Sequence, residues 1–253
     1  MGGRGVRRHQ LQMGSIEIKR AEMAERDREA PDYEHTWRPA WIPEIELPLV
    51  IDLLDVQPGQ TVLDLGAGVG RVTRELVGQG RTIVALDYSL DSLRMNRQHL
   101  KAVGNYHGRV AFLLADATTG LPFPAESFDR VACIQMIQHV PTYTERVRLL
   151  SEAYRVLKPG GVLVLTTYNR SFMAILRRRR DGFHGGKIYY HLFSVAELRR
   201  LLRAFGKRRL FGILNLTPRL YGKPFSSLLE RVIQRLPISY LTGSVLVARC
   251  VKT

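Results

Sequence analysis

Three glycines at alternate positions follow a short apolar run in residues 61–71. The apolar run is bounded by a turn signal and predicts a strand buried in a parallel sheet. The glycines, Gly66, Gly68 and Gly70, lead into a predicted helix. Glycine lets a backbone turn sharply and lets a ligand approach, and a helix start offers unpaired N–H groups. Because Asp64 ends the strand, the loop should bind a ligand with a cationic amino group and polar edges.

The spacing of these glycines differs from the dinucleotide-binding fingerprint Gly-x-Gly-x-x-Gly. Counted from Gly66, the third glycine of that fingerprint would fall at position 71, which is Arg71. The pattern present is Asp-x-Gly-x-Gly-x-Gly, beginning at Asp64. It is similar to the first motif of class I S-adenosylmethionine-dependent methyltransferases.

Two further predicted strands also end in a carboxylate. Residues 82–86 are apolar and end at Asp87, about 20 positions beyond the glycine loop, where a carboxylate can accept hydrogen bonds from ribose hydroxyls. Residues 110–115 are followed by Asp116, which is placed to bind an adenine amino group. A single carboxylate of this kind is usually solvated or caps a helix. Three at successive strand ends indicate a ligand, because open α/β sheets bind ligands there.

From residue 63 to residue 165 the chain resembles the methyltransferase family that contains the ubiquinone/menaquinone-biosynthesis methylases. The matching stretches are residues 64–70, 86–89, 115–117, 121–124, 127–129, 138–140 and 155–161. The resemblance implies a Rossmann-like three-layer α/β sandwich with a seven-stranded, mostly parallel sheet. In that fold residues 208–216 would form the sixth strand, and residues 244–252 the last strand, which is antiparallel.

The resemblance also implies that S-adenosyl-L-methionine is the cofactor. The residues it assigns to cofactor binding are Asp64, Gly66, Ala67, Gly68, Gly70, Asp87, Tyr88, Asp116, Ala117 and Gln135. Asp64 and the glycine loop would hold the methionine end, with Gln135 near it. Asp87 would hold the ribose, and Asp116 with Ala117 the adenine.

His139 is the candidate catalytic base, because it follows the fourth strand, where the loop would face the transferred methyl group. A base is needed only when the nucleophile is protonated at neutral pH. The alternative is a structural histidine that supports the cofactor loop. Tyr168, Tyr189, Tyr190 and His191 flank the expected acceptor opening. The chain shows no metal-ligand spacing, so no metal is expected.

The chain divides into a tail and one domain. Residues 1–32 are polar, with a weak helical pattern, and predict a mobile or loosely docked tail. Residues 33–253 predict a single methyltransferase domain. Residues 33–43 are rich in aromatic side chains, which would either cover the ligand site or pack on the domain. Cys133 and Cys250 are expected to be buried free thiols.

The net charge of +15 lies entirely in the last third of the chain. Residues 170–253 hold 18 Lys and Arg against 3 Asp and Glu, whereas residues 1–169 hold 20 of each sign. This part of the chain includes two basic substrate-side insertions, residues 168–193 and 217–241. Each insertion also predicts an apolar helical stretch. These stretches would pack on the domain, lie on anionic lipid, or form a phosphate-binding strip for RNA.

These observations favour an S-adenosylmethionine-dependent methyltransferase for a small-molecule or lipid-linked acceptor. The motif of adenine-N6 methylases is absent after the fourth strand, and neither cysteine adjoins a proline as in pyrimidine-C5 methylases. An RNA (tRNA or cap-type) methyltransferase remains an alternative, as does a non-catalytic cofactor-binding module that docks on RNA or membrane. No secretory signal or transmembrane helix is expected, so we predict a cytoplasmic protein and leave peripheral membrane attachment open. The acceptor atom and the oligomeric state also stay open.

Overall fold

The computed structural model describes residues 14–32, 41–77, 81–104, 109–216, 219–221, 223 and 225–253. Within them the helices are α1 (Ser15–Glu29), α2 (Trp41–Leu54), α3 (Arg71–Leu76), α4 (Leu90–Val103), α5 (Tyr143–Val156), α6 (Phe172–Leu176), α7 (Val195–Leu201), α8 (Ser226–Gln234) and α9 (Ser239–Thr242). The strands are β1 (Thr61–Leu65), β2 (Thr82–Asp87), β3 (Val110–Leu114), β4 (Phe128–Ile134), β5 (Leu157–Tyr168), β6 (Asp181–His184), β7 (Ile188–His191), β8 (Lys207–Ile213) and β9 (Val245–Val251). The aromatic segment at residues 33–43 lies largely outside the described residues.

Seven strands form one sheet in the order β3-β2-β1-β4-β5-β9-β8. Strands β1 to β5 are parallel to one another, and β9 runs antiparallel to both β5 and β8. This confirms the predicted fold class, including the antiparallel last strand. The topology also brings the carboxyl ends of β1, β2, β3 and β4 to the same edge of the sheet, where the strand-end carboxylates stand.

Helices cover both faces of the sheet and make it three layers deep. Alternate residues of β1 point to opposite faces, so Leu63 belongs to the apolar cluster that contains Leu149 of α5, whereas Val62 belongs to the cluster that contains Leu54 of α2. All four side chains are fully buried. A strand that is apolar on both faces is the expected pattern for a parallel sheet covered by helices.

Local signals set several helix ends. The Thr142 hydroxyl accepts from the amide of Glu145, whose carboxylate binds back to the amide of Thr142, so α5 begins with a capping box. The predicted cap at Ser194 is also present, and α7 follows it. The hairpin of β6 and β7 was not predicted, because its pairing joins residues of the basic insertion that show no clear alternation.

Residues 15–29 of the predicted tail form α1, which lies against the carboxyl edge of the sheet and against β7. Ile18, Glu22 and Glu25 of this helix are buried. No helix in the described ranges is long and apolar enough to cross a membrane. Cys133 and Cys250 are buried free thiols, and burial raises the pKa of each to about 12.

Candidate active site

A cavity opens at the carboxyl edge of the parallel strands, between the glycine loop and α1. It encloses about 1060 Å³ when the part open to solvent is included. The predicted cofactor-binding residues line it, except Gly70. His139 lines it as well. Helix α1 adds Lys19, Glu22 and Arg26 to the lining, none of which the sequence analysis selected.

The glycine loop holds left-handed backbone at its three glycines. The amides of Gly66 and Ala67 donate to the carbonyl of Leu86, which ties the loop to β2. A Cβ atom at Gly66 would lie 2.3 Å from Cγ of Met136, so that position requires glycine. A Cβ atom at Gly68 would meet nothing within 4 Å. The backbone at Gly68 is therefore the part of the loop that a ligand can approach.

Gly70 has a different place from the one expected. It precedes α3 in left-handed conformation, at φ 90°. A Cβ atom there would lie 2.1 Å from Oδ1 of the Asn96 side chain. Gly70 thus lets α4 pack against the loop, and it does not line the cavity.

Two buried carboxylates face the cavity beside the loop. Oδ2 of Asp64 accepts from the Thr73 hydroxyl at 2.6 Å, and burial raises the pKa of Asp64 to about 6. Asp87 accepts from the amides of Gly68 at 2.8 Å and Ser89 at 2.9 Å. Burial also raises the pKa of Asp87 above its usual range. Buried carboxylates at a cavity wall favour a ligand that brings positive charge and hydroxyl donors.

Asp116 is held by α1 and by its own turn. Its Oδ2 accepts from Nζ of Lys19 at 2.9 Å, and its Oδ1 accepts from the amide and hydroxyl of Thr118. Partial burial opposes ionisation of Asp116, but the bonds from Lys19 and Thr118 outweigh it and lower the pKa. Nζ of Lys19 also lies 2.9 Å from Oε1 of Glu145. Lys19 therefore links α1 to β3 and α5 at the predicted adenine end.

Arg26 and Glu22 of α1 contact two further residues predicted for the site, His139 and Tyr88. Nη2 of Arg26 lies 3.2 Å from Nε2 of His139 and 3.4 Å from Oε1 of Glu22. Glu22 also hydrogen-bonds the side chain of Tyr88. Burial raises the pKa of Glu22 to about 7. Charged groups of α1 thus contact both Tyr88 and His139.

The contacts of His139 define its tautomer. Its Nδ1 lies 2.6 Å from the carbonyl oxygen of Tyr189, which only accepts, so Nδ1 carries the hydrogen. In the neutral ring Nε2 then holds the lone pair, and the guanidinium of Arg26 donates to it. His139 lies in the turn Ile137–His139 directly after β4, as its predicted position requires.

Gln135 belongs to a buried polar network that reaches α2. Its backbone is left-handed, at φ 55°. Its Nε2 donates to Oε1 of Glu46 at 2.7 Å, and the Thr166 hydroxyl donates to the same oxygen. Nη2 of Arg71, which lines the cavity, lies 3.7 Å from Oε2 of Glu46. Glu46 is fully buried, and no motif in the sequence indicates its part in this network.

An aromatic wall of Tyr168, His184 and Tyr190 stands beside His139. The rings of His139 and Tyr168 meet edge to face, 6.2 Å between centroids. His184 stacks on Tyr190 at 4.4 Å, and both lie edge-on to Tyr168.

Tyr189 and His191, which were also expected to flank the acceptor opening, belong to a separate polar cluster. The Tyr189 hydroxyl donates to Asp181, and His191 lies between Asp181 and Glu197. Burial lowers the pKa of His191, but the bonds to these two carboxylates outweigh it and raise the pKa. Tyr189 and His191 therefore anchor the β6–β7 hairpin rather than joining the aromatic wall.

The cavity fits S-adenosylmethionine on its own chemistry. The open backbone at Gly68 allows close approach, and the buried carboxylates of Asp64 and Asp87 suit an ammonium group and two ribose hydroxyls. Within the described residues no cluster of three or more His, Cys, Asp or Glu side chains suits a metal ion.

The comparisons with known proteins agree with this geometry. Residues 63–165 match the family model described as a methyltransferase domain. The Citrobacter koseri ubiquinone/menaquinone biosynthesis C-methyltransferase UbiE is 35% identical over 136 residues, which cover 53% of this chain and 52% of that protein. The chain thus spans about half the length of the curated relatives it matches.

Solved structures share the fold at low sequence identity. A Thermotoga maritima structure is described as an S-adenosylmethionine-dependent methyltransferase, possible histamine N-methyltransferase. It has a TM-score of 0.63 at 23% identity, covering 90% of this chain and 97% of that one. A Haemonchus contortus phosphoethanolamine N-methyltransferase 2, in complex with phosphomonomethylethanolamine and S-adenosylhomocysteine, has a TM-score of 0.57 at 20% identity. It covers 81% of this chain and 52% of that one. Residues 63–165 therefore match a methyltransferase domain and resemble the ubiquinone/menaquinone biosynthesis C-methyltransferases, and the chain shares its fold with solved structures described as S-adenosylmethionine-dependent methyltransferases.

Proposed function

We propose that the protein transfers a methyl group from S-adenosylmethionine to a small-molecule or lipid-linked acceptor. The observation that carries this proposal is the convergence of Asp64, Asp87 and Asp116 on one cavity with the glycine loop. These carboxylates come from the ends of three different strands, and they meet only because the sheet is parallel there.

Each carboxylate has a proposed part in holding the cofactor. Asp64 binds the amino group of the methionine end, and Asp87 accepts hydrogen bonds from the ribose. Asp116 and Ala117 bind the adenine edge, with Tyr88 at its face. Gln135 lies near the methionine end, positioned by Glu46. The bound cofactor supplies an electrophilic methyl group, and the protein's main task is to orient the acceptor toward it and exclude water.

His139 is the proposed base. Its Nε2 lone pair lies on the cavity wall and accepts the proton that the acceptor loses. Arg26 donates to that lone pair in this structure, so the proton can be accepted only after Arg26 moves aside. Such a step would make α1 part of the catalytic cycle.

The aromatic wall supports a planar or apolar acceptor. Tyr168 joins the end of β5 to the ring of His139, so an acceptor near the base would also contact aromatic faces. The similarity to ubiquinone/menaquinone biosynthesis C-methyltransferases favours a carbon atom of a lipid-linked ring as the methyl acceptor.

The test is to follow a labelled methyl group from S-adenosylmethionine into cell extracts. We expect label in the lipid-soluble or small-metabolite fraction. Label confined to RNA would establish the RNA methyltransferase instead. Cofactor binding with no label in any fraction would establish a non-catalytic module.

Substitution of the base tests its part in the reaction. His139→Ala is expected to lower turnover by about 100-fold, a usual contribution of general-base catalysis. Its affinity for S-adenosylmethionine in calorimetry should be close to that of the wild type. Unchanged turnover in His139→Ala would show that the histidine is structural.

A further inference from the structure

Helix α8 reverses the usual arrangement of a surface helix. Its buried residues are Ser226 and Glu230, whereas Leu228, Leu229 and Val232 are exposed, Leu228 to 67%. A helix of a globular domain normally turns its apolar stripe to the core. Packing on the domain, one of the three alternatives raised by the sequence, therefore does not describe these leucines.

The buried carboxylate explains why α8 holds this orientation. Glu230 accepts hydrogen bonds from the amide and side chain of Asn215 and from the Tyr221 hydroxyl. Losing these bonds would leave the buried Glu230 carboxylate without most of its hydrogen-bond donors, which carries a large free-energy cost. The polar face is therefore fixed inward and the apolar face outward.

Helix α6 presents a second exposed apolar surface. It has no buried residue, and Phe172 and Leu176 are 57% and 66% exposed. Helices α6 and α9 are in contact, and the Asn169 side chain donates to the carbonyls of Tyr240 and Gly243. Together α6, α8, α9 and the segments between them, residues 172–180 and 225–241, form what we call the basic apolar face. Its exposed apolar side chains are Phe172, Met173, Ile175, Leu176, Phe225, Leu228, Leu229, Val232, Leu236, Ile238 and Leu241.

Arginines accompany these apolar side chains. Arg177 to Arg180 follow α6 directly and are exposed, as are Arg231 and Arg235 of the α8 segment. Among the described residues, Arg177, Arg231 and Arg235 form no ion pair. The three acidic residues of the last third do not neutralise the face, because Glu230 is buried and Glu197 and Asp181 bind His191.

The basic apolar face adjoins the active site. Strand β5 ends at Tyr168, which pairs with Val245 at the start of β9. Helix α6 follows β5 and α9 precedes β9, so both helices lie at the carboxyl edge of the parallel strands. The ring of Tyr168 contacts His139 there. The distance along the chain from the aromatic wall to the face is therefore only a few residues.

We propose that the basic apolar face docks the protein on an anionic lipid bilayer, with the leucines and phenylalanines in the acyl boundary and the arginines at the phosphates. Exposed apolar area of this extent marks an interaction surface. Clustered arginine around an apolar stripe matches the charge of an anionic membrane. RNA binding would use the arginines but leave the exposed aliphatic side chains without a contact.

Docking in this orientation has a consequence for the substrate. The cavity edge faces the bilayer, so an acceptor dissolved in the membrane reaches the aromatic wall without crossing water. This consequence rests on the proposed methyl transfer, whereas the docking itself does not.

The test is flotation of the full chain with vesicles of phosphatidylcholine, with and without phosphatidylglycerol, at low and high salt. We expect the wild type to bind the anionic vesicles and to lose binding as salt rises. The triple variant Phe172→Ser, Leu176→Ser, Leu228→Ser should bind the anionic vesicles at least about tenfold more weakly than the wild type. A matched control, Leu114→Ser with Val147→Ser, changes apolar side chains that are 52% and 39% exposed elsewhere. It should bind like the wild type.

Charge is tested separately. Arg177→Glu, Arg231→Glu and Arg235→Glu together should abolish vesicle binding, whereas Arg97→Glu with Lys101→Glu on α4 should not. Calorimetry with S-adenosylmethionine is the check that each variant is folded. A failure of docking is thereby distinguished from a failure of the proposed function.

Other outcomes would overturn the proposal. Equal binding to neutral vesicles, or no binding to any vesicle, would contradict it. So would binding to total RNA alone that the arginine substitutions remove. A dimer that the serine substitutions dissociate, without vesicle binding, would assign the face to a second copy of the chain.

Discussion

Helices α1 and α8 depart from the ordinary relation between pattern and packing in opposite ways. Helix α1 is mostly charged, yet it lies against the active site and buries Glu22 and Glu25. Helix α8 has an apolar stripe, yet it turns that stripe to solvent and buries Glu230. In both helices glutamate side chains are buried, beside Ile18 in α1 and beside Ser226 in α8. The difference between them lies in what remains outside: a polar surface for α1 and an apolar surface for α8.

The partners of the buried groups explain both cases. The face of α1 that carries Lys19, Glu22 and Arg26 is matched by charged and polar groups of the cavity. These contacts do not need an apolar stripe, and ion pairs and hydrogen bonds of this kind open more readily than a packed core. Helix α1 thus covers the cavity through polar contacts, whereas the polar contacts of α8 leave its leucines available to a partner.

Among the substitutions that test this comparison, removal of the Glu230 carboxylate should have the largest effect on stability. Glu230→Ala removes the acceptor that the half-buried side chains of Asn215 and Tyr221 share, which should lower the free energy of unfolding by about 3 kcal/mol. Denaturant titration measures the loss. Leu228→Ser on the exposed face of the same helix is the control and should change stability by no more than about 0.5 kcal/mol. The opposite ranking would mean that α8 packs on the domain through its leucines, and it would contradict the comparison.

The docking of α1 should depend on pH through Glu22. Its pKa is raised by burial from 4.5 to about 7, so docked Glu22 holds its proton more tightly than undocked Glu22. The resulting stabilisation is complete below about pH 4.5 and is lost as the pH rises through about 7. We expect on the order of 2 kcal/mol between these limits.

Hydrogen exchange of the α1 amides at several pH values measures this change. Arg26, Tyr88 and Asp87 face the Glu22 carboxylate, as does His139, whose Nδ1 lies 3.6 Å from Oε1 of Glu22, and all four stay in place in Glu22→Gln. That variant should therefore show little pH dependence of protection once intrinsic exchange is corrected for. Protection that still falls with rising pH in Glu22→Gln would assign the effect to another group.

A smaller effect is expected at Lys19. Lys19→Ala removes the links from α1 to Asp116 and Glu145, both partly exposed, so the loss should be about 1 kcal/mol. Bound S-adenosylmethionine should dissociate roughly fivefold faster, because α1 covers its proposed adenine end. Stopped-flow displacement measures the rate, with the exposed Arg20→Ala as the matched control. Equal rates in both variants would show that α1 does not retain the cofactor.

The sheet and the strand-end carboxylates were predictable from the sequence because their signals are local. An apolar run that ends in Asp64 or Asp87 predicts both a strand and the edge of the sheet at which the carboxylate lies. Helix α1 was different, since the value of Lys19 and Arg26 depends on Asp116 and His139, far away in the chain. The apolar pattern that predicts docking is absent from it.

The same limit applies to the last third of the chain. The apolar spacing of α8 was visible, but the buried position of Glu230 depends on Asn215 and Tyr221, which belong to the preceding segment. The sequence therefore left three alternatives open for this helix. Gly70 shows the converse case, in which a residue of the motif packs against Asn96 instead of lining the cavity.

Calorimetry of the purified chain with S-adenosylmethionine tests the central claim most directly, with NAD as the control ligand. We expect the wild type to bind S-adenosylmethionine and not NAD. Asp87→Ala should weaken that binding by on the order of 1–3 kcal/mol, because the ribose loses its acceptor. Absence of S-adenosylmethionine binding by the wild type, or equal affinity in Asp87→Ala, would contradict the assignment of this cavity.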